Sequence, residues 1–351
     1  MYDHDTDILE KTAARRYHAY QGCFWTKSAG FDRWDFLHNA LPELNLSEID
    51  SSTTFLGKPM ALPLIISSMT GGYAKAERIN RQLAEICAHK KIGLGVGSQR
   101  QALEDKRYHR SFSVVREVAP DIPIFGNIGG AEVAILRDVS PILRLVDLIQ
   151  ADGFAVHLNP LQEFLQPEGN PNFRGVLAGI EILVKSLSVP LIVKEIGAGL
   201  SNDAARRLIN CGVRIIDVSG AGGTSWAGVE IVRRKKAKGK KSSPDAGVFW
   251  DWGIPTVNAL KEVCGLKKEM PPFQVISSGG ISNGLDIAKS IALGADYAAS
   301  ARSLLKALDH GGKSAVTKLI EQWAWEFKGA MFLTGSRSIA ELQNQKLVSR
   351  V

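Results

Sequence analysis

Gly153-Phe154-Ala155-Val156-His157-Leu158-Asn159-Pro160-Leu161-Gln162-Glu163 runs from a short apolar stretch directly into a cluster of polar side chains. The apolar part is brief, with Asp152-Gly153 before it and Asn159-Pro160 after it, the pattern of a strand buried on both faces. Pro160 lacks an amide hydrogen and forbids further ladder pairing. In a parallel sheet the groups just past a strand's C-terminal end face the ligand crevice. His157, Asn159, Gln162 and Glu163 are therefore expected to converge on one place. Read alone, Asn159 serves equally well as the cap of a following helix. The choice between an ordinary loop and a site turns on whether the rest of the chain repeats this design.

Short β-rich runs recur about every 20 to 35 residues, with one longer interval before the seventh. They fall at 62–69, 92–97, 122–127, 153–158, 189–195, 214–219, 273–278 and 295–300. Between them, 77–90, 175–187, 202–211 and 283–293 carry apolar residues three and four apart, the stripe of an outer helix. Eight such units predict an α/β fold, a closed (β/α)8 TIM barrel with an N-terminal extension. A doubly wound open sheet alternates strands and helices too. The barrel is preferred because nearly every run ends in polar or glycine-rich sequence, and a barrel points all its strand ends at one mouth. These ends include Ser68-Met69-Thr70-Gly71-Gly72, Gly97-Ser98-Gln99-Arg100, Gly126-Asn127, Lys194-Glu195, Ser219-Gly220, Ser278-Gly279-Gly280 and Ser300.

A chain of 351 residues with 45% hydrophobic content can bury one large core, modestly longer than the roughly 250 residues of a typical single barrel. No apolar run approaches the roughly 20 residues of a membrane span. The start, Met1-Tyr2-Asp3-His4-Asp5, is acidic rather than a basic leader, so a cytoplasmic protein without a membrane partner is expected. Cys23, Cys87, Cys211 and Cys264 are scattered without a Cys-x-x-Cys pair and read as core thiols. The net charge of +7 and the basic run at 233–241 raise the question of nucleic acid. No aromatic residue interrupts that run to stack a base, and Gly239, Ser242, Ser243 and Pro244 follow the pattern of a solvated loop. No nucleic-acid partner is predicted, and a flap over an anionic ligand is the alternative use of the run.

The turn Ser277-Ser278-Gly279-Gly280-Ile281-Ser282 sets two glycines where backbone amides can approach a phosphate, with a helix start at Ser282 or Asn283. A lone Gly-Gly is more often only a tight turn. Here it follows the seventh strand beside the eighth strand end, Ala299-Ser300, the usual phosphate position of a barrel. A phosphorylated cofactor held there leaves room for a planar ring over the mouth, and FMN fits that layout. Lys194, ending the apolar run 189–193, is positioned to balance negative charge on a reduced flavin. A salt bridge with Glu195 and Schiff-base chemistry are the other readings of this lysine.

Taken together, these segments closely resemble the type 2 isopentenyl diphosphate isomerases, the FMN-dependent class of that activity. The resemblance runs from about residue 31 to near residue 347. It also rests on His157-Leu158-Asn159-Pro160 with Gln162-Glu163, Gln166-Pro167-Glu168-Gly169, Pro190-Leu191-Ile192-Val193-Lys194-Glu195, Gly220-Ala221-Gly222-Gly223-Thr224-Ser225-Trp226 and Asp251-Trp252-Gly253-Ile254-Pro255. Any one is common; their order is specific.

The resemblance implies interconversion of isopentenyl and dimethylallyl diphosphate in isoprenoid biosynthesis, by proton addition and elimination that require reduced FMN. It also implies NADPH as flavin reductant, Mg2+ as companion ion, and a homotetramer or larger homo-oligomer. Carried onto this chain, it assigns FMN to Met69, Thr70, Gly71, Ser98, Asn127, Lys194, Ser219, Thr224, Gly279, Gly280, Ala299 and Ser300. It assigns the substrate to Arg15, His18, Arg100, His157, Asn159 and Gln162, and the metal to Glu163. Gln162 and Lys194 are the catalytic pair expected beside the reduced flavin. Gln162 cannot ionise, so its expected part is to steer a proton.

Three positions depart from the family. Its Arg-Lys-x-x-His pattern falls on Ala14-Arg15-Arg16-Tyr17-His18, so the first arginine is replaced by Ala14 and the lysine by Arg15, while His18 is kept. Ser282 stands where many relatives carry arginine. Residues 1–55 are expected to form the extension and a substrate lid, and 56–351 the FMN-binding barrel with C-terminal helices. The alternatives are an FMN-dependent oxidoreductase of the hydroxy-acid oxidase type and a catalytically altered FMN-binding barrel.

Overall fold

The computed structural model describes residues 25–236 and 245–350. Eight parallel strands close into a barrel: β1 (Leu64–Ile66), β2 (Gly93–Gly95), β3 (Ile124–Gly129), β4 (Gly153–Leu158), β5 (Leu191–Glu195), β6 (Ile215–Asp217), β7 (Gln274–Ser278) and β8 (Tyr297–Ser300). Each pairs with its neighbour in the chain, and β8 returns to β1 through Ala298–Leu64 and Ser300–Ile66 pairing. Every predicted run contains or overlaps one strand, and β4 has the predicted bounds. The first two strands end earlier than predicted, at Ile66 and Gly95, although Ser67 and Val96 still donate to the Ser300 and Phe125 carbonyls.

The outer helices Ala76–Lys90, Val176–Ser186, Asn202–Asn210 and Gly284–Ala292 occupy the predicted intervals. Ser201 caps the third by accepting from the Ala204 amide, and Asn283 caps the fourth by accepting from the Asp286 amide. The long C-terminal helix Arg302–Thr334 is broken at Gly311 and Gly312, whose backbone leaves the helical region. Beyond it, Leu347–Ser349 pairs antiparallel with Trp34–Phe36 and joins the two ends of the described fold.

The barrel interior explains where the site lies. Side chains alternate across a strand, so every second residue points inward. Ile65, Phe125, Ala155, Ile192, Ile215, Ile276 and Tyr297 fill one inner layer. The hairpin Thr53–Phe55 with Lys58–Met60 pushes Phe55 and Met60 into the same layer, and the Phe55 ring lies 4.6 Å from that of Tyr297. Its turn places Leu56 at φ 48° and Gly57 at φ 76°, the double positive φ of a type I′ hairpin. This plug crosses the 55–56 point between the extension and the barrel. It seals the end away from the mouth, leaving the polar layer two residues further along each strand facing open space. Among the described residues no helix is long and apolar enough to cross a membrane.

Candidate active site

Two positions beyond the apolar layer stand Asn127 on β3, His157 on β4, Lys194 on β5, Asp217 on β6 and Ser278 on β7. The same alternation that buries Phe125, Ala155, Ile192, Ile215 and Ile276 thus turns five polar side chains towards the strand ends. Above them opens a cavity of ≈ 500 Å³, the size of a small-molecule or cofactor site. Met69, Thr70, Gly71, Ser98, Arg100, His157, Gln162, Lys194, Ser219, Thr224, Gly279, Gly280, Ala299 and Ser300 line it. Asn127, Asn159 and Glu163 lie behind this wall. Arg15 and His18, with residues 1–24 of the expected 1–55 extension and lid, and most of the basic run at 233–241 fall outside the described residues.

The β7 turn has a backbone that glycine alone accommodates. Gly279 has φ 101° and Gly280 φ 79°. A Cβ on Gly279 would overlap the Gly220 carbonyl oxygen and lie 2.8 Å from the Gly220 nitrogen. Thr256 Oγ1 donates to the Gly279 carbonyl at 2.6 Å, and Ser300 Oγ donates to the Ile281 carbonyl at 2.9 Å, locking the turn to its neighbours. Ser282, at the departure from the family, spends both its amide and its hydroxyl on Asp286, at 3.0 and 2.9 Å. After β1, two strands round the barrel, Thr70 Oγ1 donates to Asn80 Oδ1 at 2.5 Å, and Asn80 Nδ2 returns to the Thr70 carbonyl at 3.2 Å. Ser68 Oγ, also lining the cavity, is buried without a hydrogen-bond partner among the described residues. A close-approach glycine turn and an unpaired inward hydroxyl suit a phosphorylated, polar-edged ring such as FMN.

Lys194 does not pair with the Glu195 carboxylate. That group turns outward and accepts from the amides of Ile196, Gly197 and Ala198 at 2.6, 2.7 and 2.5 Å, while burial pushes its pKa up against them. Lys194 Nζ donates instead to the Glu195 backbone carbonyl at 2.6 Å and stands 3.9 Å from Asp217 Oδ2. Opposite charges that far apart attract by about 4 kcal/mol at an effective dielectric of 20, before desolvation is subtracted. Asp217 Oδ1 accepts from Ser278 Oγ at 2.5 Å and from the Ser219 amide at 3.1 Å. Burial raises the Asp217 pKa, and Lys194 opposes the shift most strongly. Ser219 is held at φ 37°, left-handed and unusual for a residue with a side chain.

A polar chain continues this wall onto β4 and β3, the strands next to β5. Asn127 Oδ1 accepts from His157 Nδ1 at 3.0 Å, which fixes the imidazole. Asn159 Nδ2 donates to Gln162 Oε1 at 3.1 Å and to Glu163 Oε1 at 2.9 Å. Gln162 Nε2 then donates to Glu230 Oε1 at 3.0 Å. Glu163 Oε2 accepts from Gln166 Nε2 at 2.9 Å and from the Asn170 amide at 2.7 Å. A carboxylate can only accept, so Glu163 obliges Asn159 to donate, and Asn159 obliges Gln162 to present its oxygen. Gln162 must therefore direct its NH2 at Glu230. The polarity of the whole chain follows from one charge.

Arg100 sits at the rim, half exposed, with Nη1 3.2 Å from Glu132 and Nε 3.4 Å from Glu104. Burial holds the Glu132 carboxyl above its usual range, and Arg100 pulls the other way. Glu132, Asp217 and Glu230 were missed in the sequence. Asp217 could have been found by continuing the alternation Ile215-Ile216-Asp217. Among the described residues no group of three or more His, Cys, Asp and Glu side chains could hold a metal ion.

Residues 156–349 match the family described as FMN-dependent dehydrogenase. The fold agrees: a lactate oxidase of Pediococcus acidilactici superposes with TM-score 0.70 over 99% of this chain and 94% of that one, at 16% identity. A mandelate oxidase variant gives TM-score 0.67 over 97% and 99%, at 17% identity. The molecule is thus an FMN-dependent (β/α)8 barrel. Relatives of higher identity carry the name isopentenyl-diphosphate delta-isomerase. The protein of Chlorobium phaeobacteroides is 50% identical over 326 residues, covering 91% of this chain and 89% of that one. That of Chlorobium luteolum is 47% identical and covers 97% of both, and that of Pseudescherichia vulneris is 46% identical over 90% and 89%. The chain belongs to the isopentenyl-diphosphate delta-isomerase family, in its FMN-dependent class.

Proposed function

We propose that this chain interconverts isopentenyl and dimethylallyl diphosphate at the barrel mouth. The observation that carries the reading is the meeting of two unlike walls around one cavity. Lys194 and the Gly279-Gly280 turn suit a flavin and its phosphate, while Arg100, His157 and Gln162 face the same space. An oxidase would also need the first wall. The isomerase reading rests on the second, together with the close similarity to proteins of that name.

Reduced FMN supplies the proton donor and acceptor at the double bond, and NADPH supplies its electrons. Met69, Thr70, Gly71, Ser98, Ser219 and Thr224 border the ring, and Gly279, Gly280, Ala299 and Ser300 hold its phosphate. Lys194 balances the ring's negative charge. Asn127 contributes by orienting His157, which with Arg100 binds the diphosphate through charge-assisted hydrogen bonds worth roughly 1.5 to 3 kcal/mol each. Arg15 and His18 complete that grip. Gln162, held in one orientation between Asn159 and Glu230, steers the proton without itself ionising. Isomerisation adds one proton at the terminal carbon and removes one from C2, so no net redox change occurs.

Glu163 is the magnesium ligand in this reading. A carboxylate offers about four lone-pair sites, and three are taken by Asn159, Gln166 and Asn170. One remains, which suits an ion that takes one or two carboxylates and completes its shell with phosphate oxygens and water. A homotetramer or larger assembly and a cytoplasmic location belong to the same reading and rest on the family resemblance and composition. The test is anaerobic turnover of isopentenyl diphosphate by protein with FMN, Mg2+ and a chemical reductant. Dimethylallyl diphosphate should appear only when the flavin is reduced. Absence of product with bound, reduced flavin would overturn the reading.

A further inference from the structure

We propose that Asp217 is the positioning residue that sets the charge Lys194 presents to the flavin, and that it couples this ring-side lysine to the phosphate-side turn. The inference rests on the FMN reading above. Three consecutive strand ends meet on this one carboxylate. It faces Lys194 of β5 at 3.9 Å, accepts the Ser278 hydroxyl of β7 at 2.5 Å, and accepts the Ser219 amide of its own turn at 3.1 Å. The register makes the meeting unavoidable, because Lys194 pairs with Asp217 across the β5–β6 ladder and both point into the barrel.

Each contact reaches a different part of the cofactor region. Lys194, Ser219 and Ser278 all line the cavity, and Ser278 leads directly into Gly279 and Gly280. Asp217 itself does not line it, so its influence passes through these neighbours. Lys194 and Asp217 are 6% and 4% exposed as side chains, so water screens their attraction little. A lysine facing a buried anion presents less net positive charge than a lysine alone. Reduced flavin carries more negative charge than oxidised flavin, so the pair holds the flavin potential lower than an unopposed lysine would. The Ser219 amide bond gives Asp217 a second task, because it secures a residue whose backbone is left-handed.

The experiment measures the FMN midpoint potential of the full-length holoprotein for wild type, Asp217→Asn, Lys194→Met and the double variant. FMN absorbance is checked first; a wild type that binds no flavin sinks the FMN reading itself, not this inference alone. With flavin bound, Asp217→Asn should bind reduced relative to oxidised FMN about tenfold more tightly, a rise of about 30 mV for a two-electron couple. In the Lys194→Met background the same substitution should shift the potential little, because a buried carboxylate without its cation takes up a proton. An unchanged potential in Asp217→Asn, or an equal shift in both backgrounds, would overturn the proposal. If Asp217→Asn fails to fold, Lys194→Met alone still tests the pairing by infrared spectroscopy. A protonated carboxyl band absent from wild type should appear, and its absence would overturn the pairing.

Discussion

Replacing Glu163 by Gln probes the polar chain at its origin. The carboxylate accepts three hydrogen bonds, one at Oε1 from Asn159 and two at Oε2 from Gln166 and Asn170. An amide keeps one acceptor oxygen. Turned towards Gln166 and Asn170, it preserves two bonds and sets its NH2 against Asn159 Nδ2, donor against donor. Asn159 can flip to accept, since its Oδ1 is buried without a partner. Its oxygen then meets Gln162 Oε1, and relieving that contact by turning Gln162 sets oxygen against Glu230. Whichever amide is misplaced, one buried polar group is left unsatisfied, at about 1–3 kcal/mol. For a chain of this size that lowers Tm by roughly 1–4 °C at fixed FMN. The flavin spectrum should stay as in wild type, because Glu163 lies behind the cavity wall. Turnover should fall even at saturating Mg2+, since Gln162 no longer has a single orientation. A variant with wild-type Tm and wild-type turnover at saturating Mg2+ would refute the argument that Glu163 polarises the chain. An unchanged Mg2+ dependence would separately remove Glu163 as the metal ligand.

Gly279→Ala must accommodate both a left-handed residue and a Cβ overlapping Gly220, costing about 2–5 kcal/mol when strain and overpacking are combined. If only the turn gives way, FMN affinity measured by fluorescence titration should fall at least 30-fold, and wild-type affinity would contradict the phosphate assignment. Phe55→Ala empties the plug between Tyr297 and Phe125, which should cost about 3–5 kcal/mol and lower Tm without changing FMN affinity in proportion. Equal melting temperatures would show that the hairpin is not part of the barrel core. Glu132→Gln frees Arg100 from a partly exposed pair worth at most about 1 kcal/mol, so KM for isopentenyl diphosphate should drop by up to about fivefold. The stability of the same variant relative to wild type carries a pH signature. Burial raises the folded Glu132 pKa above the ordinary 4.5. Its contribution to wild-type stability is therefore fully present below that value and is lost as pH rises through the folded pKa. The variant's relative stability should grow over that window in pH-dependent melts, and a flat difference would count against a buried, charge-disfavoured Glu132.

The fold was legible because each barrel strand is short, apolar and followed by polar sequence, and because alternation inside a barrel is strict. Ile192 to Lys194 and Ala155 to His157 state in three letters which residue packs and which one reaches the mouth. The same three-letter reading covers Ile215 to Asp217, so Asp217 was within reach. It is inconspicuous because Val218 carries the apolar run past it to Ser219. Lys194 lines the cavity, and it meets the Glu195 backbone and Asp217 rather than the Glu195 side chain that its sequence neighbourhood offers. Adjacent residues on a strand face opposite ways, so a Lys-Glu pair in sequence is a poor pair in a sheet. Glu230 belongs to another kind of information. It lies 68 residues from Gln162, on the helix Trp226–Lys236, with no local pattern linking the two. Its helix follows β6, whereas Gln162 follows β4, so only closure of the barrel brings the carboxylate to the amide. Residues arranged by the strand period are open to a reader of the sequence, and residues that meet across the mouth are supplied by topology. The polar layer at the mouth combines both kinds: the chain from Glu163 to Gln162 is local and could be inferred, but the acceptor at its far end comes from the fold.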